Sequence, residues 1–361
     1  MKKIGVGVIG ASLDGWAAMS HLPALAGHPE YELVAVSTTR KESAELAAER
    51  YGVPAAFDDH QDLIAHPGVE LVVVAVKVSH HHELVSAALA AGKQVYSEWP
   101  LGVNRAEAEE LASLAAGGRT VIGLQGRYAP EIQYARQLIA DGYVGRVLGT
   151  TVVGSGAAWG AETQRRQAYL FDDSQGATLL TIAAGHTLDT LQYLLGEIAE
   201  VSADLVVSRK TVTVIDDGTE LPVTAPDQVG LIGTLADGAA LSFFYRGSSS
   251  RGDNFRWEIN GTEGDLVLTS PTGSAQATGL TLAGGRGTDH EVAELTVPAE
   301  LRAPASLPKP AENVSLLYSA LARDLREGTN TVPDFTHALR HHRLIDSTRE
   351  SATTGRRIPL A

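Results

Sequence analysis

Short apolar runs alternate with helically spaced segments through the first third of the chain. Residues 4–9 (IGVGVI), 32–37 (ELVAVS), 70–76 (ELVVVAV), 94–97 (QVYS) and 120–124 (TVIGL) are rich in β-branched residues and read as strands. Between them, residues 16–27, 41–51, 80–91 and 105–116 repeat Ala and Leu at helical spacing, and Asn104 with Glu107 forms a plausible N-cap pair. Strand–helix alternation implies right-handed βαβ units, and an almost wholly apolar strand such as LVVVAV implies a parallel sheet covered on both faces. The pattern changes near residue 125. Helices are predicted at 129–141 and 176–195, followed by strands joined by Asp237-Gly238 and Asn260-Gly261 hairpin turns. A Pro-rich connection, 298–310, precedes closing helices at 312–327 and 334–352. The expected fold class is α/β: a Rossmann domain with a parallel sheet over 1–125, and an α/β domain with a largely antiparallel open sheet over 126–361.

A length of 361 residues suits two cores rather than one. The net charge of −14, with no run of Lys and Arg, argues against a nucleic-acid partner. With no cysteine there is neither a disulfide framework nor a thiolate metal site, which suits the cytoplasm. Lys2 and Lys3 imitate a signal-peptide start, but Gly5, Gly7, Gly10 and Asp14 interrupt the apolar run. No segment reaches the roughly 20 apolar residues that span a bilayer, so no membrane partner is expected.

The turn after the first strand, Gly10-Ala11-Ser12-Leu13-Asp14-Gly15, has the spacing of a dinucleotide-binding turn, with Ser12 in place of the middle glycine. Gly10 permits the sharp turn and Gly15 the close packing of helix on strand, while the Ser12 hydroxyl and the helix N-terminal amides are expected to meet phosphate. At the end of the second strand stand Ser37, Thr38 and Arg40, where an acidic residue would select NAD. Hydroxyls and a guanidinium favour a 2′-phosphate instead, so NADP is the expected cofactor, with NAD as the alternative. The bland reading of Arg40 is a solvated residue in the first turn of a helix.

The segments HLPAL (21–25), HHHELVSAALAAGKQVYSEWPL (80–101), GRYAPEIQYARQLIADGYVGRV (126–147) and GHTLDTLQYLLG (185–196) resemble the Gfo/Idh/MocA family over nearly the whole length. The resemblance implies a Rossmann domain, an α/β domain whose open sheet forms the oligomer contact, and oxidoreduction of sugars, inositols and related polyols. Glu98-Trp99-Pro100 stands where the family carries Glu-Lys-Pro, whose lysine assists proton transfer. Ile182, four residues before His186, stands where it carries an aspartate. Glu-Trp, Leu124 to Arg127 and Gly185 to Asp189 are similar to the fungal galactose-regulon repressor branch, whose members bind the dinucleotide and work through protein contacts.

The expected function is therefore an NAD(P)-dependent oxidoreductase on a sugar-like or cyclic polyol substrate; the alternative is a non-catalytic dinucleotide-binding regulator of the repressor kind. The cofactor set comprises Gly10, Ser12, Leu13, Gly15, Ser37, Thr38, Arg40, Val76, Lys77, His82, Glu98, Trp99 and Gln125. His186 and Lys77 are the catalytic candidates, because Trp99 and Ile182 move no protons. A packing role is the competing reading for His186, and a strand-edge charge for Lys77. Trp99 is either an apolar wall beside the nicotinamide or a core aromatic. Arg127, Tyr128, Trp159, Tyr169 and Asp189 are the substrate candidates. His80, His81 and His82 diverge at a helix start and are not expected to chelate a metal; His341 and His342 read as surface or packing residues. A homodimer or homotetramer is expected.

Overall fold

The computed structural model describes residues 2–273, 275–303 and 307–360. The chain divides into two compact units, Met1–Gln125 with Ala303–His342, and Gly126–Arg302 with Arg343–Ala361.

In the first unit, β1 (Ile4–Ile9), β2 (Tyr31–Ser37), β3 (Ala55–Phe57), β4 (Leu71–Val74), β5 (Gln94–Glu98) and β6 (Thr120–Gly123) form one sheet in the order β3-β2-β1-β4-β5-β6. Every neighbouring pair is parallel. All four residues of β4 are buried, as its apolar run requires. The sheet order reverses between β1 and β4, so the carboxyl ends of these strands border the crevice where such folds bind ligands. The single helix expected over 16–27 is instead two short ones, α1 (Trp16–Met19) and α2 (His21–Leu25). Pro23 lacks the N–H that would bond the Met19 carbonyl, and its ring crowds that carbonyl, so a continuous helix is barred. Next come α3 (Lys41–Tyr51), α4 (His60–Ala65), α5 (His81–Ala90) and α6 (Arg105–Leu114). The pattern did not announce β3 or α4, each being too short to show a period.

The second unit contributes α7 (Pro130–Ala140), β7 (Val147–Gly156), β8 (Glu162–Thr163), α8 (Gly185–Leu195), β9 (Ile198–Val206), β10 (Thr211–Val214), β11 (Glu220–Pro222), β12 (Gln228–Leu235), β13 (Ala240–Gly247), β14 (Phe255–Gly261), β15 (Gly264–Ser270), β16 (Thr281–Arg286) and β17 (Ala293–Glu294). Helices α9 (Lys309–Glu327) and α10 (Phe335–Thr354) and strand β18 (Ile358–Pro359) complete the chain. The main sheet runs β17-β16-β15-β14-β7-β13-β12-β9-β18, antiparallel except where β7 lies parallel to β13. Alternate residues of β12 to β15, among them Leu231, Phe243, Tyr245, Trp257, Ile259 and Leu268, are buried on one face.

Asp237-Gly238 turns between β12 and β13 as expected. Asn260-Gly261 does not turn: both residues stay in β14, Asn260 pairing with Asp265, and the reversal falls at Thr262-Glu263. A Cβ on Gly261 would lie 1.9 Å from the Val144 carbonyl oxygen, so this glycine serves a close backbone approach. Residues 303–342, read from sequence as part of the second domain, cluster with the first. There α9 packs on α2, burying Val314, Leu317, Tyr318 and Leu321. Part of the Pro-rich connection, 304–306, lies outside the described residues.

Candidate functional site

At the end of β1, Gly10 adopts φ +92°, and a Cβ there would lie 2.5 Å from the Ala75 carbonyl oxygen. Only glycine fits such a position. The amides of Gly10 and Ala11 both donate to the Ser37 carbonyl, at 2.9 and 3.1 Å, which joins the turn to the end of β2. The Ser12 hydroxyl donates to the Asp14 carboxylate, so it is already engaged within the turn rather than directed at a phosphate. Leu13 is 44% exposed. Because α1 is a single turn, its dipole is short, and the anion-binding capacity of this segment rests on the turn's own backbone amides.

Ser37 is buried and offers its carbonyl to the turn. The Thr38 hydroxyl donates to the Arg40 carbonyl at 2.8 Å and accepts from the Arg40 amide, closing a local turn. The guanidinium of Arg40 is exposed and makes no ion pair or hydrogen bond among the described residues. Of the three expected 2′-phosphate contacts, it is the group available to an anion.

Strand β4 ends at Val74, which leaves Val76 half-buried and Lys77 exposed in the following loop. The three consecutive histidines diverge. His80 is exposed, and His82 pairs with Glu110 of α6 at 2.8 Å on the surface, away from the cofactor role expected of it. His81 is the buried member: Nδ1 lies 2.8 Å from the Pro100 carbonyl oxygen and Nε2 3.1 Å from that of Val76. It ties the β4 and β5 strand ends together, and burial lowers its pKa.

Glu98 and Trp99 follow at the end of β5. Trp99 is 4% exposed, with the His341 and His342 rings each centred 4.6 Å away. It is a core aromatic of the first unit, and those two histidines are its packing partners. At the end of β6, Gln125 is 1% exposed, and neither its Nε2 nor its Oε1 meets a partner among the described residues. A buried amide with both polar atoms open is complementary to a carboxamide. The residues along this edge thus fit a nicotinamide dinucleotide.

In the second unit, the segment before α8 is a π-helical turn, Leu180–Ala184, where a regular helix was expected. Such turns recur at functional sites, and Ile182 lies within this one. His186 is 5% exposed in the first turn of α8. Arg127 and Asp189 grip each other: Nε donates to Oδ2 at 2.6 Å and Nη2 to Oδ1 at 2.5 Å. Burial works against the guanidinium charge, but the Asp189 carboxylate outweighs it and holds the Arg127 pKa above its usual value. Arg127 also lies over the Tyr193 ring, and Gln133 donates to the Tyr193 hydroxyl. This pair joins the turn at Gln125–Tyr128 to α8, with both Asp189 oxygens accepting from Arg127. Tyr128 is half-buried, Trp159 is buried next to the end of β7, and burial raises the Tyr169 phenol.

No group of three or more His, Cys, Asp or Glu side chains suited to a metal ion occurs among the described residues. Among the described residues no helix is long and apolar enough to cross a membrane. Sequence reasoning missed His81 and, within the HLPAL segment, the buried His21, whose partners lie far away in the chain.

A parallel sheet of this order, with a glycine turn at its switch point, defines a dinucleotide-binding fold. The chain belongs to the Gfo/Idh/MocA family of oxidoreductases. Residues 4–124 match the model described as oxidoreductase family, NAD-binding Rossmann fold, and residues 130–270 match the C-terminal domain of Gal80p. The chain is 31% identical to dehydrogenase aclE of Aspergillus oryzae over 286 residues, 75% of this chain and 78% of that protein. It is 29% identical to the galactose/lactose metabolism regulatory protein GAL80 of Saccharomyces cerevisiae over 315 residues, 80% of this chain and 72% of that one. The crystal structure of a super-repressor mutant of the same regulator superposes with a TM-score of 0.89 at 25% identity, covering 99% of this chain and 98% of that one. Levoglucosan dehydrogenase of Pseudarthrobacter phenanthrenivorans is 27% identical over 295 residues, 74% of each chain.

Proposed function

We propose that the protein is a cytoplasmic NADP-linked oxidoreductase acting on a CH–OH group of a sugar-like or cyclic polyol substrate. The observation that carries the reading is the buried amide of Gln125 at the carboxyl edge of the sheet, which meets no partner among the described residues and suits the carboxamide of a nicotinamide. The exposed guanidinium of Arg40, which makes no ion pair among the described residues, favours the 2′-phosphate of NADP over the bare ribose of NAD. When bound, the nicotinamide accepts or supplies hydride. The substrate hydroxyl then needs a group to take its proton, and His186 is the titratable side chain proposed for this, with Lys77 as the assisting cation. Tyr128, Trp159 and Tyr169 remain the substrate candidates, since aromatic faces suit sugar rings; Arg127 and Asp189 act by shaping the segment that carries them. The relative named for levoglucosan, a sugar derivative, supports this substrate class.

A second reading, a dinucleotide-binding regulator, is favoured by particular residues. Trp99 is packed away where the family lysine would stand, and Asp189 is held by Arg127. The two readings part on turnover. Calorimetric titration should show tighter binding of NADP than NAD, and Arg40→Ala should weaken NADP by about tenfold or more while sparing NAD. A screen of sugars and polyols should reveal a change in nicotinamide absorbance, and His186→Ala should slow it by about 10²- to 10⁴-fold with NADP affinity unchanged. Tighter binding of NAD overturns the cofactor assignment. Binding without turnover on any substrate replaces the enzyme with the regulator.

A further inference from the structure

Within the first unit, three side chains distant in sequence form one buried hydrogen-bonded line. Glu98 Oε1 lies 2.9 Å from His21 Nε2, and His21 Nδ1 lies 2.8 Å from the Tyr318 hydroxyl. A carboxylate only accepts, so Nε2 carries a proton and donates to Glu98, which in a neutral ring leaves Nδ1 to accept from Tyr318. Burial, reinforced by Tyr31 and Glu98, holds the Tyr318 phenol well above its usual range and keeps it a donor. The line is itself held in place: the Tyr31 hydroxyl donates to the Tyr318 carbonyl at 3.0 Å, and the His21 ring stands edge-on to Tyr96 at 4.9 Å. Space for the carboxylate comes from Gly123, where a Cβ would lie 2.4 Å from Glu98 Oε1.

Only one Glu98 oxygen is occupied in this way. Oε2 makes no hydrogen bond among the described residues, and the side chain keeps 10% exposure at the end of β5. We propose that His21 and Tyr318 are positioning residues that hold Glu98 so that its second oxygen accepts a hydroxyl from the nicotinamide-side ribose of the bound dinucleotide. This rests on the dinucleotide reading above. The competing account is a strut that merely joins α2, β5 and α9. A strut would set the unfolding temperature without discriminating between one part of the cofactor and another.

The test uses the full chain and two ligands: NADP, and 2′,5′-ADP, which carries the 2′-phosphate but no nicotinamide riboside. Calorimetry on Glu98→Gln and His21→Leu should show NADP bound about tenfold more weakly, with 2′,5′-ADP unchanged, and the double variant should be no worse than either single one. His21→Gln, whose amide reaches the carboxylate, should recover most of the affinity. Tyr318→Phe keeps the ring and the fold and should cost about threefold on NADP alone, which covers the case in which His21→Leu does not fold. Unchanged NADP binding in these variants, or equal losses for both ligands, overturns the positioning role and leaves the cofactor reading intact. If the wild-type chain binds neither ligand, the cofactor reading falls, and this proposal with it.

Discussion

At the scale of single residues, two buried imidazoles, those of His342 and His81, give the first unit a pH dependence. Burial, with His341 adjacent, pushes the His342 pKa down to about 3, and burial lowers that of His81 as well. In the unfolded chain such groups titrate near 6.5. Between about pH 6.5 and 3 the unfolded state therefore binds more protons, and stability rises with pH across that window. From pH 6.5 down to 5, His342 alone should remove about 2 kcal/mol. Calorimetric scans should show the unfolding temperature falling over this range, and less steeply in His342→Phe; equal slopes in the two proteins would clear His342. Local sequence reveals little of this. The HHH run shows three titratable residues but not which one faces inward, because the start of α5, and hence the phase of its buried stripe, depends on how the preceding turn leaves β4. Likewise the Arg127–Asp189 pair spans 62 positions, and nothing in either residue's neighbourhood marks them as partners.

Among elements, the legible ones carry strong local signals. Asn104 accepts from the Glu107 amide at 3.0 Å, and the Glu107 carboxylate accepts from the Val103 amide at 3.0 Å, so α6 is capped on both counts. Asn104 is exposed, and its replacement by Ala should cost about 1 kcal/mol in urea unfolding, while Asn104→Asp should be nearly neutral. A full cost from Asp would show that the cap contributes through something other than its acceptor oxygen. Elements missed or misread lack such signals. A three-residue strand has no period, and a π turn differs from an α turn by one hydrogen-bond register, which composition does not encode. The break between α1 and α2 was readable in Pro23, but the Ala- and Leu-rich spacing around it masked the break.

On the scale of the whole molecule, the main sheet of the second unit leaves apolar side chains in solvent. Ile232 of β12 is 55% exposed and Phe244 of β13 is 39% exposed, on neighbouring antiparallel strands. An apolar patch on an open sheet marks an association surface. Light scattering at micromolar concentration should therefore give a mass at least twice the 38.0 kDa of one chain, and Ile232→Asp with Phe244→Glu should return it to one chain. A wild-type monomer would remove the expectation. The sequence by itself determined the parallel βαβ sheet, the Gly10 turn, the antiparallel character of the second unit and the break near residue 125, because each follows from periodicity or backbone sterics acting within a few residues. Tertiary structure decided that 303–342 returns to the first unit, that Trp99 is core, that His81 rather than His82 is buried, and that His21 bonds Glu98 on one side and Tyr318 on the other. Those outcomes depend on contacts between residues far apart along the chain, and the energy of such a contact exists only once the fold has brought its partners together.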